Sequence, residues 1–285
     1  MSTQITTAFV QQYKSNLLIL AQQKGSRLRN SVRVESMTGT AAYFDRLGAT
    51  AAVLRTTRHG DTPLVDSPHS RRRVSTAPYE WADLIDKADK VRMLIEPTSD
   101  YALNAANAMG RAMDDVLIAA ASGLAYTGVD GSGTQAITLQ VAASATNLTL
   151  AKLLTTKEYL DEGEIDGDDR YMVVSPKMMT SLLGTTEVKS ADYNSIKALV
   201  QGQLDTFLGF KFITTNRLAA NSTANGHLAL AYQRRGLVLA IGEDVRTEIG
   251  PRADKSYSTQ VFVAMDIGAT RIEDAAVVEI DCIGG

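Results

Sequence analysis

The chain has 285 residues, of which 45% are hydrophobic and 21% are charged, a composition typical of a soluble globular protein. Its one cysteine, Cys282, excludes an internal disulfide, and no apolar run is long enough to span a bilayer. The net charge of −3 argues against a protein whose main task is to bind nucleic acid. The first residues lack the basic and apolar regions of a secretory signal, so we expect none.

The first third of the sequence is basic and contains few clear elements. An apolar stripe in residues 7–24 predicts a short amphipathic helix, which can dock on its own domain or on a neighbouring subunit. Alternation predicts a strand at residues 32–35, and residues 41–47 are interpreted as one or two helical turns. Basic residues outnumber acidic ones over residues 24–73, whereas acidic residues predominate over residues 80–170. These two regions can attract each other between copies of the chain.

Residues 51–80 are the least domain-like part of the sequence. Three of the six prolines lie here, at positions 63, 68 and 78. The flanks at residues 52–58 and 72–79 are predicted to be extended, and residues 59–70 are predicted to form turns. We therefore predict a long two-stranded arm, polar and basic, that cannot pack on itself. A loop of this length within a compact domain is uncommon unless it is functional or disordered.

The longest helical pattern spans residues 96–123. Pro97 precedes the pattern, and Thr98 or Ser99 can cap its first backbone N–H groups. Asp100 adds negative charge at the positive end of the helix dipole. The apolar face consists mainly of alanine, which lets a neighbouring backbone approach closely. Taken alone, this stretch is typical of an ordinary core helix.

After this helix the predicted strands gather late in the chain. Helices are predicted at residues 149–161, 176–184 and 193–200. Strands are predicted at residues 171–174, 210–214, 227–241, 245–249, 256–265 and 271–281, with residues 250–254 as the turn between the fourth and the fifth. The acidic run at residues 161–169 lacks the ligand spacing of a calcium loop and is interpreted as a solvated loop. The class is α+β.

No catalytic, cofactor or metal site is predicted. The three histidines lack metal-ligand spacing, and neither a G-x-x-x-x-G-K-[ST] loop nor a G-x-S-x-G elbow is present. Asp114 and Asp115 point about 100° apart on a helix, so we interpret them as surface charges or one half of an interface salt bridge. In the extended run Arg71, Arg72 and Arg73, alternate side chains face opposite ways. We favour contacts of this run with acidic protein surfaces over contacts with phosphates.

Four stretches occur in an order that is itself informative. They are GTAAYFDRLG with the basic arm after it, EPTSDYALNAANAMGRAMDDVLIAAASG, LDTFLGFKFITTNRL, and residues 227–282. Together they resemble the major capsid protein of tailed bacteriophages with the Hong Kong 97-type fold, over nearly the whole chain. The resemblance implies an α+β, Hong Kong 97-like fold with an N-terminal arm, an extended E-loop, a P domain with a long spine helix, and an A domain. The implied boundaries are residues 1–47 for the N-terminal arm and the start of the P domain, 48–80 for the E-loop, 81–123 for the P domain with its spine helix, 124–240 for the A domain, 241–271 for the P-domain strands and tip loop, and 272–285 for a C-terminal A-domain strand.

The resemblance implies a structural protein rather than an enzyme. Such a protein self-assembles as pentamers and hexamers into the icosahedral head that encloses the double-stranded DNA genome. Its expected location is the virion, after assembly in the host cytoplasm, with weak and non-specific contact to the packaged DNA. The further partners implied are a separate scaffolding protein, a portal and, in some relatives, a cement protein, with no membrane and no cofactor.

The resemblance also directs attention to inter-subunit contacts. The candidates are Arg55, Arg58, Arg71, Arg72, Arg73, Trp81, Asp114, Asp115, Pro251 and Arg252. Two features depart from the type member of the family. No lysine lies between Lys24 and Lys87, so the arm cannot donate a cross-linking lysine, and no additional N-terminal scaffold domain is expected. Two alternatives stay open: an encapsulin-type shell on the same fold, and a hydrolase or metal-dependent enzyme.

Overall fold

The computed structural model describes residues 22–86, 98–144, 146–184, 206–220 and 226–283. Within these ranges the chain forms three α-helices and fourteen β-strands, so the predicted α+β class is confirmed. The helices are α1 (Thr98–Ser122), α2 (Leu150–Glu162) and α3 (Pro176–Gly184). The strands are β1 (Arg33–Ser36), β2 (Ala41–Leu47), β3 (His69–Ser75), β4 (Ala77–Ile85), β5 (Ala125–Thr127), β6 (Gly133–Gln135), β7 (Leu139–Val141), β8 (Arg170–Val174), β9 (Thr206–Phe207), β10 (Phe210–Thr214), β11 (Gly226–Gln233), β12 (Leu237–Arg252), β13 (Ser258–Arg271) and β14 (Val277–Ile283). The predicted helices at residues 7–24 and 193–200 lie almost wholly outside the described residues.

The chain divides into two compact units, each built from separate segments. The first unit takes the chain up to Ser26 together with Pro78–Arg111 and Glu243–Met265. The second unit takes Arg27–Ala77, Ala112–Gly242 and the chain from Asp266 onward. Helix α1 and strands β12 and β13 therefore each contribute to both units.

The largest core of the second unit lies on a six-stranded sheet with the order β7-β14-β11-β8-β10-β9. Strand β11 pairs antiparallel with both β14 and β8, whereas β10 runs parallel to β8. Strands β8, β11 and β14 are almost entirely buried, as expected for strands whose two faces are both covered. Helix α2 packs against β14 and β7.

Helices α2 and α3 begin where the sequence predicts. Thr149 Oγ1 accepts a hydrogen bond from the Lys152 backbone N–H at 3.4 Å, which caps α2. Ser175 Oγ accepts one from the Met178 N–H at 3.2 Å, and Pro176 occupies the first position of α3, where its missing N–H costs nothing. Both helix predictions are confirmed because their start signals are local in sequence.

A second sheet in the same unit has the order β2-β3-β5-β6. The interpretation of residues 41–47 as helical turns is wrong: they form β2 and pair along their whole length with β3. Ala42 and Phe44 alternate inward onto a buried cluster of Met37, Val74 and Ala240. Residues 52–58, predicted as the first strand of a two-stranded arm, form no strand, and the partner of β3 is β2, earlier in the chain. The predicted extended flank at residues 72–79 is confirmed, since nearly all of it lies in β3 and β4. The part of the predicted arm that forms no strand is residues 48–68, which we call the arm from here on.

In the first unit, helix α1 meets the chain segment that precedes β1. Gly25 adopts a left-handed backbone with φ of 63°, and its main chain crosses α1 at Gly110. A Cβ at Gly110 would lie 2.3 Å from the Gly25 carbonyl carbon, so this crossing requires glycine. Asn107 Oδ1 accepts a hydrogen bond from the Gly25 N–H at 3.1 Å. The small-residue face of the helix therefore serves close backbone packing, as its composition indicates.

The last long hairpin consists of β12 and β13, within a sheet of order β1-β12-β13-β4. Its turn was predicted at residues 250–254, but β12 continues through Pro251 and Arg252, and the turn occupies residues 253–257. Ser256 and Tyr257 both have positive φ there, at 51° and 54°. These left-handed backbone conformations reverse the direction of the chain between β12 and β13. The final strand, β14, begins later than the predicted residue 271, because a 3-10 turn at Asp274–Ala276 intervenes.

Candidate interaction surfaces

The arm, residues 48–68, projects its side chains into solvent. The β2–β3 pairing ends at Leu47 and His69, and the Gly48 N–H donates to the Pro68 carbonyl at 2.8 Å across the base of the arm. Beyond that point the arm has no strand pairing, and every residue from 48 to 66 is exposed. Leu54 and Leu64 are 84% and 98% exposed, and two valines beside them are exposed as well. An arm that exposes its apolar residues in this way presents a surface for a partner.

Arg55 and Arg58 lie on this arm and are exposed. The Arg55 Nε donates to the Thr57 carbonyl at 3.0 Å, a local contact that leaves the rest of its guanidinium facing water. Both arginines therefore stay candidates for contacts with another molecule.

The arginine run of β3 divides between two faces of the sheet, as the alternation predicts. Arg71 is partly exposed and pairs with Asp45 at 2.7 Å, with its guanidinium 5.4 Å from the centre of the Tyr43 ring. The hydrogen bond that Arg71 Nε donates to the Asp45 carboxylate raises the pKa of Arg71. Arg73 lies on the same face, and its side chain packs so closely on Gly131 that a Cβ there would lie 2.3 Å from Arg73 Cδ.

Arg72 points to the opposite face and is buried within its own chain. Its guanidinium bonds to the Asp274 carboxylate and, at 3.4 Å, to the Ile272 carbonyl. Desolvation by burial lowers the pKa of Arg72 despite the attraction of Asp274. The expectation that Arg72 contacts another subunit is therefore wrong, because its charge is already bound inside the protomer.

Arg271 completes this arginine cluster and was not singled out from the sequence. It is fully buried, and its guanidinium donates to the carbonyls of Ala121, Gly123 and Gln135 at 2.8, 2.9 and 3.0 Å. Its Nε also donates to Asp274 at 2.8 Å. Arg271 thus satisfies carbonyls at the C-terminal end of α1, where a cation is favourable. The sequence feature that could have indicated a buried arginine is its position at the end of an otherwise apolar strand.

The paired aspartates of α1 are not the surface pair that the sequence indicates. Asp114 is fully buried, and its two carboxylate oxygens accept the backbone N–H groups of Arg27 and Leu28, each at 3.1 Å. Its interpretation as a surface charge or interface group is therefore wrong. Asp115 forms a bidentate ion pair with Arg217 of the same chain, at the helix surface.

The tip of the β12–β13 hairpin is the second exposed charged surface. Pro251 and Arg252 are exposed, and Arg252 pairs with Asp254 at 2.8 Å. Ile249 is also exposed beside them. Trp81, on β4, is partly buried. These residues stay candidates for contacts with another copy.

The described residues contain no cluster of three or more His, Cys, Asp or Glu side chains that could hold a metal ion. No helix in the same part of the chain combines the length and the apolar character that a membrane crossing requires.

The chain is similar to subunits of several solved capsid structures. The capsid protein of the cyanophage P-SCSP1u is 16% identical to this chain, with a TM-score of 0.77 over 100% of this chain and 96% of that chain. The head protein of Helicobacter pylori bacteriophage KHP40 is 9% identical, with a TM-score of 0.74 over 95% of each chain. The capsid protein of a native GTA particle is 11% identical, with a TM-score of 0.72 over 99% of each chain. No curated protein matches the sequence.

The fold is therefore that of phage capsid proteins, as the resemblance implied. The phage capsid protein family model matches residues 5–284. The chain belongs to the phage capsid protein family.

Proposed function

We propose that this protein is the major capsid protein of a tailed bacteriophage, and that it assembles as pentamers and hexamers into an icosahedral shell around double-stranded DNA. The observation that carries the proposal is the exposed arm, residues 48–68, in a chain of the phage capsid protein family. The arm buries almost none of its apolar side chains within the protomer, so a neighbouring copy is the surface on which it gains stability.

The proposed role of each segment follows the domain layout of the family. Residues 48–80 act as the E-loop, of which the arm at residues 48–68 lies on an adjacent subunit. Residues 1–47 act as the N-terminal arm and the start of the P domain. Residues 81–123 and 241–271 form the P domain, with α1 as its spine and the tip near Pro251 meeting other capsomers. Residues 124–240 and 272–285 form the A domain at the capsomer centre.

The remaining partners are part of the same proposal. A portal, a separate scaffolding protein and a cement protein accompany the shell, which is assembled in the host cytoplasm. Contact with the packaged DNA is weak and carries no sequence readout, in keeping with the net charge of −3. The role is structural rather than catalytic. Membership of the phage capsid family favours this assignment over an encapsulin-type compartment.

Negative-stain microscopy of the purified protein, and of particles from its native source, tests the proposal. Closed shells, together with native particles that carry a portal vertex, a tail or packaged DNA, are expected. A tailless shell loaded with an enzyme would instead identify an encapsulin. A compact monomer in every state, including the native source, would contradict a shell role altogether.

A further inference from the structure

A groove of about 860 Å³ opens at the base of the arm, between the ends of β2 and β3 and the turn after β5. Arg46, Arg71 and Arg72 contribute three guanidinium groups to its walls, and Asp45 and Asp274 contribute the carboxylates. All the lining residues belong to the second unit.

Both carboxylates of the groove already pair with arginines of the same chain. Asp45 pairs with Arg71 at 2.7 Å. Asp274 is shared, since one of its oxygens binds Arg72 and the other accepts from Arg271 at 2.8 Å. One carboxylate therefore serves two buried guanidinium groups.

Arg46 is left without a counter-charge. Within the described ranges, its partner is the Ile272 carbonyl, which accepts from Arg46 Nη1 at 2.6 Å, and no carboxylate pairs with it. Arg46 is partly buried, so water screens its charge less than at a free surface. Desolvation is the largest cause that lowers the pKa of Arg72, and the nearby charges of Arg46 and Arg271 lower it further against the attraction of Asp274.

We propose that this groove is a socket for a carboxylate side chain of a second copy of the chain, which pairs with Arg46. The inference rests on the proposed function and names one contact between subunits. A carboxylate there would accept charge-assisted hydrogen bonds from donors that the protomer leaves partly unused.

Charge complementarity identifies the occupant as another copy. Basic residues outnumber acidic ones over residues 24–73, yet the chain as a whole carries −3, so its remaining surface is acidic on balance. In a shell of identical copies, each interface brings the same acidic side chain to the same groove. Packaged DNA is the alternative occupant, and phosphate density in the groove would identify it.

The direct test is a cryo-EM map of particles assembled from purified protein without nucleic acid. A neighbour's Asp or Glu carboxylate within about 4 Å of the Arg46 guanidinium is expected. A groove filled only by water or by its own chain would overturn the proposal. So would particles that form only with DNA and show phosphate density in the groove.

Arg46→Gln provides the matching functional test, with Arg33→Gln as its control. Arg33 is an exposed arginine that pairs with Glu35 at 2.7 Å outside the groove. Arg46→Gln is expected to lower particle yield by about threefold or more at low salt, because each lost contact recurs at every copy. The control is expected to assemble like the wild type.

If both variants assemble normally while the wild type forms shells, the socket is wrong and the shell function stands. If the wild type forms no shells either after purification or in its native source, the proposed function itself fails. Should Arg46→Gln not fold, the wild-type map still decides.

Discussion

Arg72 on β3 and Asp274, in the turn before β14, form an ion pair whose side chains are only 5% and 17% exposed. The pair joins residues about two hundred positions apart in the sequence and fixes the base of the arm to its own protomer. The neighbouring Arg71 differs by one position and pairs with Asp45 at the surface. We therefore expect Arg72 to stabilise the folded protomer, whereas Arg71 lies where it can contact another subunit.

Arg72→Ala is expected to destabilise the unassembled subunit strongly. Breaking a buried pair costs about 3–5 kcal/mol, and we expect the low end of this range because Arg271 still pairs with Asp274 after Arg72 is removed. Arg71→Ala is the matched control, since an exposed pair contributes about 0–1 kcal/mol. Chemical unfolding of both variants measures the difference. Equal unfolding midpoints for the two variants would show that the Arg72–Asp274 pair contributes little to the fold.

The two aspartates of α1 offer a second matched comparison. Asp114→Ala removes the acceptor of two backbone N–H groups, those of Arg27 and Leu28, and each unsatisfied buried donor costs about 1–3 kcal/mol. Asp115→Ala removes only a surface pair with Arg217. We expect the first variant to lose several times more unfolding free energy than the second. Hydrogen exchange at residues 27 and 28 should also accelerate in the Asp114 variant. If these two N–H groups stay protected, the capping role of Asp114 is incorrect.

Glu279 on β14 provides a pH-dependent prediction. Burial raises the pKa of Glu279 above its ordinary value of 4.5, although a hydrogen bond from Gln140 opposes the shift. Because the folded pKa is the higher one, the stability contributed by the protonated group is present below pH 4.5 and is lost as pH rises through the folded pKa. Glu279→Gln should therefore stabilise the subunit at neutral pH, with an advantage that shrinks toward pH 4.5. Thermal melts across this range, with the exposed Glu162→Gln as control, measure it. An advantage of Glu279→Gln that does not change with pH would contradict burial of the charge.

The mature shell is expected to lack covalent cross-links. No lysine lies between Lys24 and Lys87, and the guanidinium groups of the arm stay protonated, so they cannot replace a lysine as nucleophile. One cysteine per chain, Cys282, gives disulfide dimers at most, and it is buried with its pKa raised to about 11 by desolvation. Particles boiled in detergent with reductant should give one gel band near 30.7 kDa. A ladder of larger species would mean that a lysine outside the arm forms cross-links.

Elements with local signals were predictable from the sequence, and those decided by distant partners were not. Thr149 and Ser175 cap helices through atoms three residues away, so both starts were evident. Residues 41–47 contain Ala-Ala-Tyr-Phe, which suits either a helix or a strand, and pairing with β3 across the arm decides for the strand. Tertiary context overrides weak local preference in such cases.

The candidate contacts show the same limit. Alternation along β3 predicted that Arg71 and Arg72 face opposite ways, which the structure confirms. It did not indicate which face meets the protomer's own interior, because Asp274 and Arg271 lie far along the chain. The buried role of Asp114 was equally hidden, since its partners are backbone N–H groups rather than a complementary side chain.

The central claim is that the arm is unneeded for folding and required for assembly. Its ends are adjacent, since Gly48 N–H bonds to the Pro68 carbonyl at 2.8 Å, so residues 50–66 can be replaced by a short Gly-Ser linker without opening the β2–β3 ladder. The decisive measurement is sedimentation of this variant beside the wild type, together with the melting temperature of each unassembled subunit. The account predicts an unchanged melting temperature and no shells from the variant. Shells formed by the variant at wild-type yield would contradict it.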